Sequence, residues 1–136
     1  MDQCLDIKSW GDNILCIYPY SWAYMGVAMS ITLSIIGAVW GIYLTGASLL
    51  GSAIKAPRVK TKNLVSVVFC EAVAIYGVIM AIIMAEKIVL YGKGMDIYDN
   101  KEAYALALWS SLAIFWTGLG VGLSNLICGV CVGVSG

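Results

Sequence analysis

Residues 64–84 read LVSVVFCEAVAIYGVIMAIIM, and Glu71 carries the one formal charge between Asn63 and Ala85. As a helix rising about 1.5 Å per residue, this run is long enough to cross the ~30 Å hydrocarbon core of a bilayer. Glu71 lies nine positions beyond Lys62, which sets it roughly 13 Å into that core, near the midplane. An ionised carboxylate there costs about 2.5 kcal/mol or more unless it is paired, hydrated or protonated. Its helical neighbours at three and four residues' spacing are Val67, Val68, Ala74 and Ile75, and Leu64, Val78 and Ile82 continue the stripe. None of them can neutralise it. Desolvation without a local cation favours the neutral acid, so the group is suited to taking up a proton in one place and releasing it in another.

The rest of the 136-residue chain agrees with a membrane setting. Hydrophobic residues make up 61% and charged residues 12%, which excludes an ordinary soluble domain. The net charge is zero, and no basic block is interleaved with aromatics, so no nucleic-acid partner is expected. Histidine is absent, which removes the usual metal ligand and the usual neutral-pH base. Neither a metal site nor a cofactor is expected. Three apolar spans follow: residues 20–54, residues 63–85, and residues from 104 to the C-terminus. The fold expected is an all-α membrane protein, a transmembrane hairpin followed by a third transmembrane helix. Its parts are an N-terminal segment 1–19, a first hairpin 20–90, a connection 91–103 and a third helix 104–136. The acidic start MDQCLDIKSW does not resemble a signal peptide and is read as retained.

Charge in the connections orients these spans. Lys55, Arg58, Lys60 and Lys62 fall in the loop 55–62 with no acid among them, whereas the second connection mixes both signs. The positive-inside rule then places loop 55–62 in the cytosol and the N-terminus and second connection on the luminal or outer side.

Small residues mark faces on two of the spans. At about 100° per residue, Gly26, Ser30, Gly37, Gly41, Ser48 and Gly51 fall within roughly 80° of one another. Gly118, Gly122, Gly129 and Gly133 fall within roughly 60°. Such faces let helix backbones approach closely in lipid, so these spans are expected to be tightly packed inner helices. The middle span has only Gly77 and reads as an outer helix that meets lipid. Cys70 reads as packing, and the pair Cys128 and Cys131, within an apolar helix and with no histidine, reads the same way. Asn125 is expected to bond across to a neighbouring helix or to face a lumen. Tyr43 and Tyr76 are candidates to hydrogen-bond Glu71 from the same or an adjacent helix, and sequence does not choose between them.

The stretch SIIGAVWGIYLTGASLLGSAIKAPRVKTKNLVSVVFCEAVAIYGVIMAI, residues 34–82, closely resembles the c-double-prime proteolipids of the eukaryotic vacuolar-type proton-pumping ATPase. GLGVGLSNLICGVCVG, residues 118–133, resembles the opening of the second hairpin in the same proteolipids. The resemblance implies a member of the rotating proteolipid (c-type) ring of the pump. It implies that Glu71 is the proton carrier, loaded through a half-channel formed with the stator a subunit and unloaded beside a stator arginine. Other ring proteolipids and the central stalk of the soluble sector, where ATP is hydrolysed, are the further partners implied, in a vacuolar or other acidic endomembrane. Relatives carry an additional N-terminal hydrophobic helix and continue past the position of Gly136, so the chain is expected to be a truncated or partial sequence or a divergent short form. Two rival readings remain from the residues themselves. One is a small secondary proton-coupled transporter, although there the acid belongs to the first helix among aromatics. The other is a structural proteolipid in which Glu71 is dispensable.

Overall fold

A computed structural model describes residues 10–15, 17–55, 64–92 and 101–135. Arg58, Lys60 and Lys62, most of the second connection, and Cys4 and Cys16 lie outside the described residues. Four helices follow in chain order: α1 (Trp10–Leu15), α2 (Pro19–Lys55), α3 (Leu64–Gly92) and α4 (Lys101–Ser135). The last three, at 37, 29 and 35 residues, would run about 55, 43 and 52 Å at 1.5 Å per residue. All three are long and apolar enough to cross a membrane. The architecture is that of an all-α membrane protein, as the sequence predicts.

Local chemistry sets the helix limits. Pro19 opens α2, where its missing N–H costs nothing, and the Ser21 N–H donates to the Tyr18 carbonyl at 2.9 Å. Lys55 lies in the last turn of α2 and Glu102 in the first turn of α4, each charge opposing the partial charge of its helix end. The helix α4 therefore begins three residues before Tyr104, and its first turn takes up part of the expected connection.

Two parallel helices, α2 and α4, form the principal seam. Gly26 meets Phe115 and Gly118, Gly37 meets Leu126 and Gly129, and Gly41 meets Gly129 and Gly133. The pairs Gly26/Gly118, Gly37/Gly129 and Gly41/Gly133 share one offset of 92 residues, since 118 − 26, 129 − 37 and 133 − 41 are equal. A Cβ built on Gly37 would stand 2.5 Å from the Leu126 Cα, and one on Gly129 would stand 2.6 Å from the Gly37 carbonyl carbon. Only backbone fits at these points. Gly51 does not take part: it is exposed, with open space where a Cβ would stand. At the common offset Ser135, the last described residue of α4, is level with Tyr43, so none of the described residues of α4 stands opposite Gly51.

The third spanning helix, α3, runs antiparallel to α2 and packs against both seam helices. Its buried residues Cys70, Val73, Gly77, Ala81, Met84 and Ile88 recur at three- and four-residue intervals on one face. Near one end of the bundle, Tyr20 and Ala23 of α2, Ile88 of α3 and Ala107 of α4 form a buried apolar cluster. Buried hydroxyls are satisfied mostly within their own helices. Ser34 donates to the Ser30 carbonyl at 2.7 Å, Thr45 to the Gly41 carbonyl at 3.0 Å and Ser111 to the Ala107 carbonyl at 2.7 Å. The Ser30 hydroxyl is the exception among the described residues, buried without a partner.

The seam makes the two classes of glycine separable by mutation. Gly37→Ala should destabilise the chain by about 1–3 kcal/mol through overpacking against Leu126. Gly51→Ala, with free space and better helix propensity, should be neutral or stabilising by up to about 1 kcal/mol. Thermal unfolding in detergent micelles checks this, and equal losses for the two variants would refute the seam as the cause.

Candidate functional site

Glu71 sits in the second turn of α3, seven residues in from Leu64, or about 10 Å along the axis. It is exposed, and so are Leu64, Val68, Ile75, Val78 and Ile82 on the same side of the helix. The carboxyl therefore belongs to a lateral apolar stripe that the described residues do not cover. Among the described residues it has no ion pair and no side-chain hydrogen bond.

This direction follows from the residue before it. Cys70 is fully buried, and its thiol donates to the Gly129 carbonyl of α4 at 3.9 Å. The next side chain on a helix points about 100° away. With Cys70 in the seam, Glu71 is carried round to the flank of α3. The reading of Cys70 as a packing residue agrees with this geometry.

The two tyrosines singled out from sequence are not brought to Glu71 within the single chain. Tyr76 follows it by five residues and is displaced by about 140° around α3, and it is 64% exposed. Tyr43 lies on α2, where the contact of Gly41 with Cys70 sets it close to the level of Val68, and it is 72% exposed. Both phenols face outward, available to another molecule.

Asn125 does bond across helices. Its Nδ2 donates to the Ser34 Oγ at 3.0 Å, tying α4 to α2. Sequence reasoning misses Ser34. Its only signal there is its place four residues after Ser30, at the edge of the small-residue sector. Cys128 and Cys131 are exposed free thiols on α4. No group of three or more potential metal ligands occurs among the described residues.

Chemically, a lone carboxyl on an apolar flank has two states whose balance depends on what faces it. Against hydrocarbon the neutral acid is favoured, and against water or a fixed cation the carboxylate is. Exchange between two such surroundings moves one proton.

Comparison with known proteins matches the geometry. The family model of the ATP synthase C subunits matches residues 25–84, which take in most of α2 and of α3, including Glu71. The chain is 43% identical over 128 residues to the c'' subunit of the V-type proton ATPase of Saccharomyces cerevisiae, covering 94% of this chain and 57% of that protein. It is 50% identical over 115 residues to the c''2 subunit of the V-type proton ATPase of Arabidopsis thaliana, covering 85% of this chain and 61% of the relative. The 16 kDa c proteolipid of the V-type proton ATPase of Homo sapiens is 27% identical over 119 residues, which cover 88% of this chain and 68% of the relative. The chain thus spans about three fifths of the c'' relatives it matches.

The burial pattern predicts thiol reactivity, which follows access. In the detergent-solubilised chain an apolar maleimide should label Cys128 and Cys131 well before Cys70, as read by peptide mass mapping. Early labelling of Cys70 would show that α3 does not seal against the seam.

Proposed function

We propose that this chain is a member of the V-type ATPase proteolipid family and, as such, a proton-translocating part of a membrane rotor ring. Glu71 is the carrier: it takes up a proton from one aqueous access path, crosses the lipid-facing part of the cycle as the neutral acid, and gives the proton up at a second path. The observation that carries this reading is the placement of the Glu71 carboxyl among exposed apolar side chains in the body of α3 while the residue before it is locked in the helix seam. A buried acid serving structure alone would instead be expected to have a bonded partner inside the chain.

Reversible protonation requires surroundings that change, and rotation past a stator supplies them. The partners proposed are other ring proteolipids, the stator a subunit and the central stalk of the soluble sector. ATP hydrolysis is assigned to other subunits, so the chain is not itself catalytic. The membrane proposed is vacuolar or another acidic endomembrane, with loop 55–62 in the cytosol and the N-terminus luminal, as the loop charges favour.

The test is ATP-driven acidification of vesicles carrying Glu71→Gln, normalised to assembled complex. Glutamine keeps the size of the neutral acid but releases no proton, so pumping should fall to the background measured without ATP while assembly persists. Normal pumping would overturn the carrier reading and favour a structural proteolipid.

The outward-facing phenols of Tyr43 and Tyr76 are assigned to the same step, as hydrogen-bond partners of the neutral acid across a chain boundary in the ring. Tyr43→Phe or Tyr76→Phe should then change the pH dependence of pumping. If neither does, the phenols have no part in it.

A further inference from the structure

Cys70 and Glu71 are consecutive, yet one is sealed in the bundle and the other faces outward. The Cys70 thiol occupies a notch formed jointly by the two seam helices. It lies 3.9 Å from the Gly129 carbonyl oxygen, and a Cβ placed on Gly41 would come within 2.7 Å of it. The notch exists because both α2 and α4 present glycine at this height.

Seven residues further along α3, or about 10 Å, the fit is inverted. Gly77 lacks a side chain, and Ser34 of α2 fills the space. A Cβ on Gly77 would collide with the Ser34 Cβ and Oγ and lie 3.3 Å from the Ser30 carbonyl oxygen. Ser34 is itself fixed, donating to the Ser30 carbonyl at 2.7 Å and accepting from the Asn125 Nδ2 at 3.0 Å. One key therefore projects from α3 into the seam, and the other projects from the seam into α3. Each engages α2 directly and α4 through Gly129 or Asn125.

A helix held by two such keys on one face cannot turn about its axis without lifting Cys70 from its notch or driving the Gly77 backbone onto Ser34. We propose that Cys70, together with the Ser34–Gly77 fit, is the positioning device that fixes the direction in which the Glu71 carboxyl faces. The inference rests on the reading of Glu71 as the proton carrier. Cys70 does not touch the transferred proton. It acts through the azimuth of α3, because each helical residue is set about 100° from the one before. Serine preserves the knob, whereas leucine is too large for a notch bounded by backbone.

The test uses the assembled pump. Cys70→Leu should lower acidification per assembled complex by up to about a hundredfold, the scale of a misplacement on the order of 1 Å at a reacting group. It should also alter the initial rate at which a hydrophobic carbodiimide modifies Glu71, since that reagent reads how a protonated carboxyl faces the apolar phase. Cys70→Ser should resemble the parent in both. Gly77→Ala should reproduce the defect, and Gly77→Ala with Ser34→Gly should rescue it, because the knob has then changed sides. Simple loss of packing would reduce the amount of complex without altering Glu71 modification in what assembles. Parental pumping and parental labelling in Cys70→Leu, or a double variant no better than Gly77→Ala, would overturn the proposal. If Cys70→Leu does not assemble, the Gly77 and Ser34 variants decide the point. A Glu71→Gln pump that works normally would remove the carrier reading, while labelling of Glu71 in Cys70→Leu would still report whether Cys70 sets its direction.

Discussion

Backbone-to-backbone approach of α2 and α4 is the contact on which the other features rest. Inside a bilayer, apolar side chains gain little by leaving lipid for protein, so helices associate through dispersion at short range and through whatever polar groups they can share. Glycine at 26, 37 and 41 on one helix, and at 118, 129 and 133 on the other, removes the side chains that would hold the backbones apart. Because these pairs share a single offset, one rigid placement satisfies all of them at once.

From this seam the position of α3 follows. Two glycines brought together, Gly41 and Gly129, leave the recess that Cys70 fills, and Ser34, tied to Asn125, fills the gap at Gly77. Polar atoms in this region are few and mostly return to carbonyls one turn back, which keeps the interior satisfied without drawing in charge. The Glu71 carboxyl is thereby left on the flank. Its isolation within the chain is consistent with a group whose partners arrive and depart during a cycle.

Similarity to the c'' subunits of V-type proton ATPases gives that flank a context. The family model covers residues 25–84, which hold the Gly26–Gly41 face of α2 and the Cys70–Glu71–Gly77 segment of α3. Glu71 and the residues that seat α3 on the seam thus fall within one continuous stretch. The two keys lie about 100–120° round α3 from Glu71.

Much of this is legible without coordinates. Hydropathy and length determine the three spans, because hydrocarbon thickness and helix rise are fixed quantities. Small residues at helical spacing determine which faces of α2 and α4 can approach closely. The absence of a cation within four residues of Glu71 already makes its charge state depend on surroundings. These are local properties, carried by composition and by the 3.6-residue period. Pairing is not local, and the tertiary structure alone decided it. Gly51 shares the phase of the seam but has none of the described α4 residues opposite it. Ser34 becomes a key only because Gly77 and Asn125 meet it from two other helices. Tyr43 and Tyr76, plausible partners by residue type, face outward and away from Glu71 within the chain. Which side chains meet depends on the register and rotation of whole helices against one another, and these are set by the summed fit of many contacts far apart in sequence.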